Sequence, residues 1–125
     1  MKLDSRTYAD TLVVAPAGRL DHDNCEAFRA GLQPLLDRAL ASRQRIVVDL
    51  SGLEYVSSAG LRCFMLAAKQ AGTQGGKIVL AALRPVVAEI FQISRFDLVF
   101  EIFASVREAL SAVSAPAAAA FDASG

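Results

Sequence analysis

The chain has 125 residues, the length of one ordinary domain, and thirteen Lys and Arg balance thirteen Asp and Glu to a formal net charge of zero. That balance argues against binding to a phosphate backbone as the main task, which needs a clustered basic surplus. Two cysteines in no CxxC pair and a single histidine, His22, speak against a disulfide framework and a zinc site and for a reducing compartment.

Thr11 to Ala15 (TLVVA) is short, apolar and β-branched and stops at Pro16 and Gly18, so it reads as a strand, with a weaker strand around Tyr8 before it. From Asp23 the pattern turns helical: Cys25, Phe28, Leu32, Leu35, Leu36 and Leu40 draw one apolar stripe. Asp21, Asp23 and Asn24 are all good caps for that helix, and Pro34 inside it predicts a kink or break. Ile46 to Leu50 (IVVDL) is a compact strand, and Ser51 to Ser57 reads as a loop. A second helix is expected from near Ser58 to just before Gly72, with Leu61, Phe64, Met65 and Ala68 as its stripe. Lys77 to Ala81 (KIVLA) is a buried strand. Pro85 then suits the first position of a third helix, with Val86, Val87, Ile90 and Phe91 on its apolar face. Leu98 to Phe103 reads as a further strand, and Ser105 with Glu108 forms a capping box for a last helix through Val113.

These elements predict an α/β domain with a mixed, largely parallel sheet of four to five strands and about four helices over residues 1–113. The Ala-rich segment 114–125 reads as a disordered tail. The apolar fraction of 54% includes 23 alanines, so it overstates the bulky core. The longest uncharged run, Ala109 to Phe121, is too short and too weakly apolar to span a bilayer. The segment MKLDSRTYAD has no apolar stretch of signal-peptide type, and a cytoplasmic protein is the natural expectation.

Little in the residues supports catalysis. There is no GxSxG elbow, no Walker A motif and no GxGxxG, and no metal or cofactor is implied. Cys25 reads as a small packed hydrophobe. Cys63 has only Arg62 beside it as a visible charge that could activate a thiol. Asp21 and Asp23 could place two carboxylates at one loop tip, or simply cap a helix. The informative segment is Tyr55 to Leu61 (YVSSAGL), where two hydroxyls and two small residues stand at a helix entry. The helix N-terminus tolerates an anion there, and a phosphate on one of these serines would add a charge of roughly −1.5 to −2. The plainer reading is that Ser57 or Ser58 is an N-cap and that Ala59 and Gly60 allow close packing.

Three stretches together resemble the STAS domain family and, within it, the stand-alone bacterial anti-sigma factor antagonists. Gly18-Arg-Leu-Asp-His-Asp-Asn24 is similar to the family's G-x-L-D segment. Ile46 to Leu61 is similar to its strand and D-S-S-G-L loop, and Leu83 to Ser94 to its P-x-V-x-x-x-F helix. The resemblance covers roughly residues 8–113 and implies a non-enzymatic regulator. It would bind an anti-sigma factor, often a Ser/Thr kinase, and so release a sigma factor; the kinase would phosphorylate a loop serine and a phosphatase reverse this.

The family's acceptor is the Ser before the Gly-Leu pair, and that position here is Ala59, with Ser58 and Ser57 matching the two residues before it. Two outcomes follow: Ser58 takes the phosphate, with Ser57 second, or the partner is bound without this switch. The implied contact surface is Asp21, Asp23, Ser57, Ser58, Ala59, Gly60, Leu61 and Arg62. A second departure is Arg95, where the family commonly has a Gly that ends the third helix, so a different cap is expected. The alternative implied by the resemblance is an accessory STAS subunit of a lipid-trafficking ABC transporter. Neither reading involves nucleic acid or insertion into a membrane.

Overall fold

The structure is a computed structural model and describes residues 2–124; Met1 and Gly125 lie outside the described residues. Among the described residues six strands, β1 (Lys2–Tyr8), β2 (Thr11–Leu20), β3 (Arg45–Asp49), β4 (Leu53–Val56), β5 (Ile78–Ala81) and β6 (Ile102–Phe103), form one sheet. Five α-helices accompany it: α1 (Cys25–Ala41), α2 (Ser58–Thr73), α3 (Pro85–Ile93), α4 (Val106–Val113) and α5 (Ala115–Ser124). The strand order is β1-β2-β3-β5-β6, with β4 pairing the far half of β2. Only β1 and β2 run antiparallel.

The sheet is buried on both faces, and strict alternation along the apolar runs decides which side chain goes where. Leu12, Val14, Ile46, Val48, Ile78 and Leu80 point to one face, where they pack with Phe28, Leu32 and Leu36 of α1, Phe64 of α2 and Phe91 of α3. Val13, Val47 and Val79 stand in register across three parallel strands and point to the other face, under Ala109 and Leu110 of α4 and Ala117 and Ala118 of α5. Both faces of the inner strands are thus covered, as an all-apolar parallel strand requires.

The expected strands at Ile46 and Lys77 and the helices at Ser58 and Pro85 are present at nearly the predicted places. Other elements differ. The sheet has six strands rather than four or five, because the weak first strand runs the full length of β1 and the expected loop Ser51–Ser57 contains β4. Leu53 and Val56 are buried while Glu54 is exposed, a pattern too short to read without its pairing partner. That partner exists because β2 continues past Pro16 and Gly18 to Leu20. Gly18, at φ +100°, supports an irregularity in register, and its N–H donates to the Gly52 carbonyl at 2.9 Å. Helix α1 runs unbroken across Pro34: the ring lies exposed on the outer face, while Leu32 and Leu36 hold the flanking turns in the core. In α2 the buried stripe is Leu61, Cys63, Phe64, Ala67 and Ala71, while Met65 and Ala68 are half-buried. In α3, Val87 and Phe91 are buried and Val86 is exposed.

The expected strand Leu98–Phe103 is mostly something else. Phe96–Leu98 form a 3-10 turn and only Ile102–Phe103 pair with β5. Aromatic packing overrides the β-branched run: Phe96 and Phe100 turn in against Phe91, at 6.0 and 6.4 Å between ring centroids, and leave Leu98 and Val99 in solvent. The cap at Ser105 forms as expected, its hydroxyl accepting from the Glu108 N–H at 3.1 Å.

The segment expected to be a disordered tail is helical over Ala115–Ser124 and buries Ala117 and Ala118. Ser114 starts it: its hydroxyl accepts from the Ala117 N–H and donates to Asp10, which holds the Asp10 carboxyl below the usual carboxylate range. Phe121 meets Tyr8 edge-on at 5.3 Å between centroids, and Arg107 makes two 3.0 Å bonds to Asp122. Small alanine side chains let this helix lie close to the valine row. No helix among the described residues is long and apolar enough to cross a membrane.

Arg95 departs from the expected cap in an informative way. It keeps the left-handed conformation a glycine would take (φ 61°, ψ 23°), and its N–H donates to the Gln92 carbonyl at 3.1 Å. A left-handed L-residue costs about 1–2 kcal/mol, and a glycine there loses about 0.4–1 kcal/mol of that gain to unfolded-state entropy. Arg95→Gly is therefore expected to stabilise the protein by about 0.5–1 kcal/mol, read as a higher urea midpoint at unchanged slope.

Candidate functional site

Strands β2 and β4 run parallel and end side by side, with Leu20 opposite Val56. The Ser57 N–H donates to the Leu20 carbonyl at 2.8 Å, which carries the pairing one residue beyond the strands. The loop that enters α1 and the loop that enters α2 therefore emerge together from one end of the sheet. This brings Asp21–Asn24 next to Ser57–Ser58, residues more than thirty positions apart in the chain.

The first loop is tied to itself. The Asn24 side chain accepts from the Asp21 N–H at 2.9 Å and donates to the Arg19 carbonyl at 2.6 Å, and Asp21 accepts from the Asp23 N–H at 3.0 Å. Asn24 occupies the N-cap position of α1 without bonding the helix through its side chain. The Asp21 and Asn24 side chains thus hold the loop, while the Asn24 carbonyl accepts the Phe28 N–H of the helix at 3.0 Å. His22 and Asp23 stand in solvent at the tip, 3.2 Å apart, while Asp21 is half-buried.

In the second loop the two serines have separate jobs. Ser57 is extended (φ −87°, ψ 174°) and is the N-cap of α2, its hydroxyl accepting from the Gly60 N–H at 3.2 Å and its carbonyl from the Leu61 N–H at 2.9 Å. Ser58 is the first residue of α2 and exposed, and its hydroxyl makes no hydrogen bond to another described residue. It sits in the first turn, where the free N–H groups and the helix dipole favour an anion. Ala59 is half-buried and Arg62 is exposed. Gly60 and Leu61 point inward. A Cβ on Gly60 would lie 2.8 Å from side-chain atoms of both Leu20 and Val56, and Leu61 is 7% exposed. Of the eight residues expected at the contact surface, these two shape the loop from beneath rather than form its surface.

The register also assembles a pair that sequence reasoning did not join. Arg19 lies opposite Tyr55, and its guanidinium stacks over the ring at 4.5 Å from the centroid. No signal in the chain pointed to it, because it depends on β4 being a strand. Next to the loops, Cys25 opens α1 and the Cys63 thiol of α2 reaches its carbonyl oxygen at 3.7 Å. Burial, and then the neighbouring Cys25, push the Cys63 thiol up. This is the environment of a packed thiol rather than an activated nucleophile. Among the described residues no group of three or more His, Cys, Asp or Glu is placed to hold a metal ion.

A mostly parallel sheet with an exposed Ser58 hydroxyl at one helix entry defines a small α/β domain whose paired loops meet at one end of the sheet. The family model described as "Mlab, STAS domain" matches residues 4–103, and the chain belongs to the STAS domain family. A Bordetella bronchiseptica protein provisionally named anti-sigma factor antagonist BtrV is 38% identical over 112 residues, covering 90% of this chain and 93% of the relative. Two solved structures share the fold. One is a Thermotoga maritima protein provisionally described as an anti-sigma factor antagonist, with a TM-score of 0.80, 20% identity, and 89% and 93% of the two chains covered. The other is the anti-sigma factor antagonist SpoIIAA of Bacillus in its unphosphorylated form, with a TM-score of 0.70, 22% identity, and 90% and 96% covered.

Two predictions test the site's construction. Gly60→Ala removes a helix-internal glycine, worth up to about 1 kcal/mol of helix propensity, yet drives a methyl into Leu20 and Val56 on neighbouring strands. Overpacking of that kind costs about 1–3 kcal/mol, so the variant is expected to be less stable in urea despite its better helix former. Ser57→Ala should lose about 1 kcal/mol with its cap, whereas Ser58→Ala should stay within about 0.5 kcal/mol of the parent in the same titration.

Proposed function

We propose that this protein is an anti-sigma factor antagonist. It acts in the cytoplasm, binds an anti-sigma factor that is a Ser/Thr kinase, and so releases a sigma factor. The observation that carries this reading is the 38% identity with a relative provisionally named an anti-sigma factor antagonist, over nearly the full length of both chains. The site supports it: two loops from different parts of the chain meet at one end of the sheet and present Asp23, Ser58 and Arg62 to solvent, with Asp21, Ser57 and Ala59 half-buried beside them.

Phosphorylation at Ser58 is the switch within this proposal. Ala59 has no hydroxyl, and the Ser57 hydroxyl is engaged as a cap, which leaves Ser58 as the free acceptor in the loop. A phosphate there keeps α2 intact, because its charge of roughly −1.5 to −2 sits at the favourable end of the helix dipole. It opposes a docked partner instead, through desolvation and like-charge contact. Two like charges at about 4 Å repel by roughly 4 kcal/mol at an effective dielectric of 20, a ceiling that solvent screening lowers. Phosphorylation is expected to weaken partner binding by about tenfold or more. A phosphatase restores the binding form.

Incubation with the kinase-type anti-sigma factor of the same genome and ATP, followed by peptide mass spectrometry, is expected to find one phosphate on Ser58. The phosphate should persist in Ser57→Ala and vanish in Ser58→Ala; phosphate elsewhere, or none, overturns the switch. A pull-down from cell extract is expected to recover the anti-sigma factor. Recovery of a transporter's ATPase and permease without it overturns the functional reading.

A further inference from the structure

The two cysteines stand 38 positions apart, and the fold brings them into contact. Cys25 is the first residue of α1 and half-buried; Cys63 lies in the second turn of α2 and is 8% exposed. The Cys63 sulfur lies 3.7 Å from the Cys25 carbonyl oxygen, and that carbonyl and the Cys25 Cβ hang from the same Cα. Both thiols are free. We propose that Cys25 and Cys63 are a modification site: a pair that forms a reversible intrachain disulfide with a small-molecule disulfide as oxidant.

The chemistry balances as two successive exchanges. The Cys25 thiolate, the more accessible of the two, attacks one sulfur of the small disulfide. That sulfur–sulfur bond breaks, one small thiolate leaves, and a mixed disulfide forms at Cys25. The Cys63 thiolate then attacks the Cys25 sulfur and expels the second small thiolate. Each cysteine gives up its proton; the protein is oxidised by two electrons and the small disulfide is reduced to two thiols.

The order of events follows from burial. A thiol that burial pushes up is a slow first nucleophile, so Cys63 suits the second step. In that step the Cys25 sulfur turns from the His22 carbonyl, to which its thiol donates at 3.6 Å, toward the Cys63 sulfur that already touches the Cys25 backbone. Arg29, one turn along α1 from Cys25 and 3.0 Å from Glu26, is the cation next to both thiols. The bond would join the first residue of α1, just after the Asp21–Asn24 loop, to α2 five residues after Ser58. It therefore staples together the two elements whose entry loops form the candidate site. The proposal rests on this contact and stands independently of the partner the site binds.

The test equilibrates the full-length native protein at low concentration with mixtures of reduced and oxidised glutathione, quenches with acid, and measures intact mass and non-reduced peptide maps. A monomer lighter by two hydrogens, with a peptide linking Cys25 to Cys63 and full reversal by excess thiol, is expected. The same equilibrium in concentrated urea shows whether the fold is responsible. The native chain is expected to form the bond at an effective thiol concentration more than about tenfold above that of the unfolded chain. Cys63→Ser should instead accumulate the glutathione adduct at Cys25. Native protein that yields only glutathione adducts, only intermolecular dimers or no change in mass overturns the proposal. So does a native effective concentration no higher than that in urea.

Discussion

The inner strands of this sheet are apolar on both faces, and almost everything else follows from the need to cover both. Val13, Val47 and Val79 form a row on one side; Leu12 and Val14, Ile46 and Val48, and Ile78 and Leu80 form the other. Parallel strands need crossover connections, and α1 and α2 supply them on one face. The valine row remains, and α4 and α5 cover it. An alanine-rich C-terminal segment that is weakly apolar in isolation becomes ordered because the row offers it a surface. Ser114 and the Tyr8–Phe121 contact fix its two ends.

The same arrangement produces the site. Because β2 outruns its pairing with β3, its last residues pair with β4, and the two strands deliver their loops to one place. The approach of α2 to that end of the sheet is limited by Gly60, which packs directly on Leu20 and Val56. A side chain there would push the helix entry, and Ser58 with it, away from the Asp21–Asn24 loop. The glycine thus sets the geometry of a surface it does not itself form.

Two departures from the family pattern have different physical weights. At Arg95 the backbone keeps the left-handed turn and accepts a local cost, so the substitution changes stability and not shape. At Ala59 the change is chemical. The hydroxyl is absent from one position, and the neighbouring serines are inequivalent because one caps the helix and the other does not. The pair Cys25–Cys63 shows the converse: two residues without meaning in the sequence acquire it by contact.

Continuous apolar runs made β3 and β5 legible in the chain. Pro85 and the serines before α2 marked helix starts, and the loop motif pointed to Ser57–Leu61 and the Asp21–Asp23 tip. These signals are local, since a period of two or 3.6 and a capping residue act within a few positions. The sequence by itself therefore determined the fold class and the loop that carries the candidate site. Only the tertiary structure decided that residues 53–56 are a strand, that residues 115–124 are a helix, that Gly60 and Leu61 face inward, that Ser58 rather than Ser57 has the free hydroxyl, and that the two cysteines touch. Each of these depends on a partner far away in the chain: β2 for β4, the valine row for α5, Leu20 for Gly60, and α1 for Cys63.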